Sequence, residues 1–377
     1  MVDAGEAQVG ERETAQLGHG IVGRHDAGTH VVEQLAQSGL VHRYILPDTG
    51  AEVVAFAVVN APAPLDPHLR TIGYLGPAGT FTEQALRSQP DLAELEVLPV
   101  RSIPEVLLAT NDGRLDLGFV PIENAIEGTV NVTQDMLSFE LDLLIQREVV
   151  IPVHLNLLGR PGATMADVRT VTSYAHAIAQ CRLFLEDHLP GVEIEAVAST
   201  ADAARLVGEG IDPSIAAIGT ARAGELYGLD TLVADVADHP ENATRFVVVA
   251  RAGVPAPTGH DKTSIVVFQR ADAPGSLLAI LQEFAARAIN LTKLESRPSR
   301  KGLGDYCFLI DLEGHLGDEV VGDALRTLKS KQHDVKLLGS YPAAGEHGPA
   351  VRRDAVEAWR EADIWLTEQR THIRPPP

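Results

Sequence analysis

The chain has 377 residues, room for two or three domains at about 100–200 residues each, so a single small module is excluded. With 45% apolar and 22% charged residues it is neither disordered throughout nor a low-complexity fibre. A formal net charge of -21 sets the surface against phosphate backbones and anionic membrane faces, so neither nucleic acid nor a membrane is an expected partner. Cys181 and Cys307 stand too far apart for a zinc ribbon or a disulfide framework and are expected as buried thiols in a reducing, cytoplasmic setting. No stretch reaches the roughly 18 uninterrupted apolar residues of a spanning helix. Acidic Asp3, Glu6, Glu11 and Glu13 occupy the place of a basic signal region, so a soluble, unexported protein is expected.

Residues 1–70 are rich in His, Gly, Glu and Gln up to about residue 44 and end in a proline-spaced linker, so a partly disordered N-terminal extension is expected. From residue 71 the apolar period switches repeatedly between 2 and 3.6. It predicts strand 71–75, a helix opening at Thr80, strand 96–100, helix 103–111, strand 115–120, helix 130–138 and strands within 142–159. Strand 168–173, helix 176–188, strand 192–198, helix 200–209, strand 214–218, helix 220–227 and strand 244–250 follow, which is α/β architecture with a mixed, mainly parallel sheet. After a Gly/Pro linker at 252–261 come strand 263–270, helix 275–288, strands 291–298 and 305–313, helix 317–331 and strand 335–340, the ferredoxin-like βαββαβ order. The tail, 343–377, holds one predicted helix, 350–369.

Ligands of open α/β sheets sit where strand ends meet helix starts, because unpaired amides and the helix dipole favour anions there. Four junctions place hydroxyls at such points: Thr80 after Gly79, Ser173, Ser199 with Thr200, and Thr220. Thr80 and Glu83 have the spacing of a capping box, and every one of these hydroxyls also suits a simple helix cap. Pro121-Ile122-Glu123-Asn124 follows an apolar strand, and Asn242-Ala243-Thr244-Arg245-Phe246 places a hydroxyl beside a guanidinium suited to a carboxylate. The chain has no His-Glu-x-x-His, P-loop or dinucleotide spacing, so neither a metal nor a cofactor is expected.

These residues resemble, in order, the motifs of prephenate dehydratases that carry a C-terminal ACT regulatory domain, over about residues 71–342. Gly76-Pro77-Ala78-Gly79-Thr80-Phe81-Thr82 is similar to the family's opening motif, Pro121-Ile122-Glu123-Asn124 to its second, and Asn242-Ala243-Thr244-Arg245-Phe246 to its catalytic signature. In the small domain Gly275-Ser276-Leu277-Leu278 resembles the Gly-Ala-Leu motif, and Glu295-Ser296-Arg297-Pro298 matches the Glu-Ser-Arg-Pro motif of phenylalanine-sensing ACT domains. Two positions depart from the pattern: Ala125 stands where Ser is usual, and Ser173-Tyr174-Ala175-His176 where Ser-His-Pro-Gln is common.

The resemblance implies a two-lobed, periplasmic-binding-protein-like catalytic domain at 71–251 and an ACT domain at 262–342. It implies conversion of prephenate to phenylpyruvate with loss of carbon dioxide and water, driven by aromatisation. The alternatives are arogenate dehydration, or a silent carboxylate or amino-acid sensor. Thr244 and Arg245 take the catalytic places, Arg245 either pairing with a carboxylate or fixing Thr244, and Thr80, Glu123, Asn124, Ser173, Gln180, Ser199, Thr200 and Phe246 the substrate-binding ones. Phenylalanine binding is implied at Gly275, Ser276, Leu277, Leu278, Glu295, Ser296, Arg297 and Pro298, in a homodimer or homotetramer formed by ACT sheets pairing to cover their open side. A chain cut at Gly253 is then expected to stay active and lose its response to phenylalanine.

Overall fold

The computed structural model describes residues 41–45, 52–56, 68–269, 274–300, 305–332, 334–344, 362 and 364–372. The chain divides into two units, Met1–Pro64 and Leu65–Pro377. In the first, β1 (Val41–Ile45) and β2 (Glu52–Phe56) pair antiparallel, with Val41 opposite Phe56. The expected disorder of residues 1–70 otherwise lies outside the described residues, as does most of the predicted tail helix, of which 364–370 are helical.

In the second unit β3 (Thr71–Leu75) lies parallel to β4 (Glu96–Val100) and β5 (Leu117–Asn124), and its buried centre carries Ile72 and Tyr74. The helix α1 (Phe81–Arg87) leads through α2 (Pro90–Ala93) to β4. The next helix, α3 (Ile103–Asn111), starts at Ser102, whose hydroxyl accepts the Glu105 amide, and lays Val106 and Leu107 into the core. Then come β6 (Gly128–Thr129), α4 (Asn131–Asp135) with a π-helical turn Met136–Glu140, and β7 (Leu144–Pro152). At Pro152 the chain leaves for a second sheet, built from β8 (Asn156–Gly159), β9 (Thr170–Tyr174), β10 (Glu193–Val197), β11 (Ile215–Gly219) and β12 (Asp230–Val233) in the order β10-β9-β11-β8-β12. Its helices are α5 (Ala175–Ala179), α6 (Arg182–His188), α7 (Thr200–Glu209) and α8 (Ala221–Tyr227). The chain returns as β13 (Ala243–Ala250), inserted antiparallel between β7 and β5. The expected two lobes each carry a mixed sheet, with as much antiparallel as parallel pairing rather than mainly parallel.

Three further boundaries move. The apolar run of β5 stops near Val120, but β13 supplies ladder partners as far as Asn124, so the Pro-Ile-Glu-Asn motif is strand rather than turn. The predicted helix 176–188 breaks at Gln180 and Cys181 because Asp238 intervenes, its amide donating to the Gln180 carbonyl and its carboxylate accepting the Leu183 amide. The short β12, Asp230–Val233, was not expected at all.

The βαββαβ order holds: β14 (Asp261–Phe268), α9 (Ser276–Ala285), β15 (Leu291–Pro298), β16 (Tyr306–Glu313), α10 (Glu319–Lys331) and β17 (Asp334–Pro342). The strands run antiparallel in the order β15-β16-β14-β17. Ile265, Val267, Ile310 and Leu312 pack under Ile280 and Phe284 of α9 and Val321 and Leu328 of α10. The opposite face is not open. Val266, Cys307, Leu309, Leu338 and Tyr341 share one core with Ile103, Leu107, Leu137, Ile145 and Val247 of the first lobe. Moreover β17 joins β7 in parallel at Gly339 and Ile145, so the small domain continues the first lobe's sheet into ten strands ending at β15.

Candidate active site

Thr244, opposite Asn124 in the β13–β5 ladder, is half-buried at the junction of the lobes. The Asn124 carboxamide has a fixed orientation. Its oxygen accepts the backbone amides of Ile126 and Glu127 at 3.0 and 2.9 Å, so its NH2 faces the other way. That NH2 donates to Thr244 Oγ1 at 2.9 Å, Asn242 Oδ1 at 3.0 Å and the Ala243 carbonyl at 3.3 Å. Thr244 Oγ1 is thus an acceptor toward Asn124, which leaves its own O–H to donate elsewhere. From Asn242 the chain of contacts crosses to the second lobe: Asn242 Nδ2 donates to Gln180 Oε1 at 3.2 Å, and Gln180 Nε2 to Glu127 Oε1 at 3.2 Å. His176 stands 3.4 Å from the same Glu127 oxygen and stacks on Tyr174, so the atypical Tyr174-Ala175-His176 stretch lies beside this chain. Asn242 stood in the recognised signature without a role of its own, and Glu127, three residues beyond Asn124, was not singled out; nearness to the motif was its only signal.

The opening motif crosses between the lobes too. Thr220 Oγ1 donates to the Gly79 carbonyl at 2.7 Å, and a Cβ on Gly79, whose φ is +87°, would lie 3.3 Å from Ala223 and 3.5 Å from Ala201. The loop therefore seats against the starts of α7 and α8, bringing Thr80 to the neighbourhood of Ser199 and Thr200. The hydroxyls themselves cap and anchor. Thr80 Oγ1 accepts the Glu83 amide and donates to the Leu75 carbonyl, and Ser199 Oγ accepts the Asp202 amide and donates to its carboxylate. Ser173, fully buried, donates to the Ile218 carbonyl at 2.6 Å. The capping box is altered: Glu83 Oε2 takes the Gly79 amide at 2.6 Å instead of that of Thr80, and its other oxygen pairs with Arg87. Burial favours the protonated form of Glu83, but the Gly79 amide and Arg87 outweigh it and hold the carboxyl below its usual range.

Strand alternation sends Arg245 to the face opposite Thr244. Its Nε donates to Glu148 at 2.6 Å, Nη1 to Asp311 at 2.6 Å and Glu123 at 3.4 Å, and Nη2 to Tyr341 Oη at 2.8 Å. Of the two readings of Arg245, a partner for a substrate carboxylate or a residue that fixes Thr244, the first meets a guanidinium already engaged by carboxylates of the protein. Burial works against the guanidinium's charge, but Tyr341, Asp311 and Glu148 raise its pKa above the ordinary value. Glu123, opposite Arg245 in the ladder, also lies 3.5 Å from Lys293 and so faces the small domain, away from Asn124. Phe246, expected at the substrate, is 1% exposed and stacks on Phe119 at 5.3 Å in the first lobe's core.

Of the expected phenylalanine-binding residues, Gly275 is the N-cap of α9, Ser276 donates to Gln269, Leu277 of α9 packs against the small domain's core and Leu278 is 58% exposed. On β15, Ser296 and Pro298 are exposed, while Glu295 and Arg297 face the first lobe: Glu295 accepts from Thr129, and Arg297 pairs with Asp135 at 2.5 Å and with Glu295 at 3.1 Å. Both cysteines are free and buried, as expected.

The prephenate dehydratase family model matches residues 72–254 and the ACT domain model residues 263–330. The prephenate dehydratase of Mycolicibacterium gilvum is 43% identical over 310 residues, which cover 79% of this chain and 98% of that one. That of Mycobacterium tuberculosis is 41% identical over 314 residues, covering 79% and 94%. Among solved structures, the Arthrobacter aurescens prephenate dehydratase in complex with L-Phe superposes with a TM-score of 0.72 at 37% identity, covering 80% of this chain and 99% of that one. A protein described as a novel type of quorum quenching acylase gives 0.66 at 31% identity, covering 73% and 98%. With two relatives above 40% identity along nearly their whole length and models matched in the expected order, the chain belongs to the prephenate dehydratase family with a C-terminal ACT domain.

Proposed function

We propose that Thr244 supplies the hydrogen bond that draws off the ring hydroxyl of prephenate. As the bond to the ring carboxylate breaks, its electron pair enters the ring, carbon dioxide departs, and the hydroxyl leaves and is protonated to water. The observation that carries this reading is the Asn124–Thr244 contact of 2.9 Å, in which Thr244 Oγ1 accepts and its own O–H is left to donate to the leaving hydroxyl. Thr80, Ser199 and Thr200, beside the starts of α7 and α8, suit the substrate's carboxylates by dipole and amide rather than by a guanidinium. Gln180 closes the junction from the second lobe. An amide NH2 cannot take a proton, so this pair does not support acyl transfer through Thr244.

Thr244→Val should lower kcat on prephenate on the order of 100-fold or more with a smaller change in KM, and Thr244→Ser should recover much of it. Phenylpyruvate formation followed by ultraviolet absorbance measures both, with arogenate as the competing substrate. A Val variant as fast as wild type would remove Thr244 from the reaction. Regulation by L-phenylalanine is supported by the complex of the Arthrobacter aurescens relative with L-Phe, and the motif resemblance assigns the effector to the start of α9 and to β15. Pairing through the β15 edge, with Leu278 and Leu294 exposed nearby, suits a homo-oligomer, and the reduced thiols suit the cytoplasm.

A further inference from the structure

We propose that Arg245 is a positioning residue that ties the strand carrying Thr244 to the ACT domain through Asp311 and Tyr341, so that displacement of the ACT domain reaches the reacting centre through this link. The proposal rests on the reading of Thr244 above.

The contacts form a closed ring in which every proton has a place. Arg245 Nη2 donates to Tyr341 Oη at 2.8 Å and Nη1 to Asp311 Oδ2 at 2.6 Å. Ser264 Oγ lies 2.6 Å from both Asp311 Oδ1 and Tyr341 Oη. An ionised carboxylate only accepts, so Ser264 donates to Asp311 and Tyr341 in turn donates to Ser264. Three of the four members belong to the ACT strands β14, β16 and β17; the fourth is the residue next to Thr244. Outside the ring, Glu148 of β7 holds Arg245 Nε at 2.6 Å and takes two contacts of 2.9 Å from Lys262 of β14, while Glu123 bridges Arg245 to Lys293 of β15. Side chains of Arg245 and Asp311 are each 11% exposed and that of Glu148 is 2% exposed, so breaking one contact leaves a charge or hydroxyl unpaired in a poorly solvated place.

The geometry makes the link directional. Arg245 and Thr244 share one stretch of backbone but opposite faces of β13, and Glu123 and Asn124 repeat the division on β5 across the same ladder step. One face holds the hydroxyl and the carboxamide that orients it; the other holds a guanidinium and a carboxylate engaged with the ACT domain. A shift of β16 and β17 relative to β13 therefore pulls on Arg245, and one of β15 pulls on Glu123, the two residues that neighbour the reacting pair.

The test is a double-mutant cycle in the full-length chain with Arg245→Leu, Asp311→Asn and the pair, plus Tyr341→Phe as the mildest member. The readouts are kcat, KM for prephenate, inhibition by L-phenylalanine, and melting temperature. Expected are a fall in kcat of at least 10-fold for Asp311→Asn with KM within about threefold of wild type, a weakened response to L-phenylalanine, and little further loss on adding Asp311→Asn to Arg245→Leu. Tyr341→Phe, which keeps the ring's volume, should move kcat in the same direction by less. A purely structural role would lower melting temperature without changing kcat of the folded enzyme, and an Asp311→Asn enzyme with wild-type kcat overturns the proposal. So does an Arg245→Leu variant whose defect is confined to KM, since that returns the guanidinium to the substrate. A wild-type chain inert toward prephenate overturns the reading of Thr244, and this proposal with it; activity in wild type separates the two failures.

Discussion

Asn124 does its work through one atom: the NH2 that Thr244 Oγ1 accepts. In Asn124→Asp the carboxylate can keep the Ile126 and Glu127 amides on one oxygen, but the other becomes an acceptor, and the threonine must spend its proton on it. The expected result is a loss of kcat on the order of 100-fold, comparable to removing the Thr244 hydroxyl, together with a lower melting temperature, because the new oxygen also meets Asn242 Oδ1 and the Ala243 carbonyl; kinetics beside a melting curve would check it. Glu83 presents the second case. Its carboxyl is held below the usual range, so it stabilises the fold fully above its unfolded pKa of about 4.3, and that contribution fades as pH falls through the depressed folded value. Glu83→Gln should therefore be less stable than wild type at neutral pH, and the gap should close in acid, as denaturant melts at pH 7 and pH 3 would reveal. Residue types and order singled out Thr244, Asn124 and Gln180, which the fold joins in one chain of contacts through Asn242. Strand 244–250 was readable, and its two-residue period alone separates Arg245 from Thr244; placing Glu123 required knowing that the second motif was strand as well, and placing Phe246 required the core partner Phe119. The sequence around Pro121 looked like a turn, and the ladder that overrides it comes from residues more than a hundred positions away.

The elements themselves were largely readable, since 96–100, 103–111, 200–209 and 291–298 coincide with β4, α3, α7 and β15. Local apolar period and caps fix such segments, whereas the break at Gln180 depends on Asp238 and could not be read locally. The join between β17 and β7 was equally invisible. It depends on close backbone approach at Gly339, where a Cβ would lie 2.5 Å from the Ile145 carbonyl oxygen and 2.8 Å from its Cβ. Both atoms belong to or adjoin a buried strand, so neither can swing aside. Gly339→Ala should push β17 off β7 and cost about 1–3 kcal/mol, a drop of several degrees in melting temperature. Because β17 also carries Tyr341, activity should fall with it. Unchanged stability in Gly339→Ala would mean that the two strands can separate without consequence.

At the scale of the whole molecule, the βαββαβ unit looks in sequence like a removable attachment behind a Gly/Pro linker, which is why a chain cut at Gly253 was expected to remain active. The shared core argues for the opposite outcome. Val266, Cys307, Leu309, Leu338 and Tyr341 are buried in one core with Leu107, Leu137, Ile145 and Val247, and truncation would return those first-lobe side chains to water. At roughly 25 cal/mol per Å2 of apolar surface, several such side chains amount to a substantial part of the 5–15 kcal/mol by which a domain is stable. The cut would also strip Arg245 of Asp311 and Tyr341 while leaving it against Glu148, and would turn β7 into a bare edge. We therefore expect residues 68–253 expressed alone to aggregate or to melt well below the full chain, and to lose most dehydratase activity rather than merely the response to phenylalanine. Expression of the two chains side by side, assayed for phenylpyruvate and followed by thermal melting, decides the matter. A stable fragment with full turnover would show that the shared core adds nothing the first lobe needs.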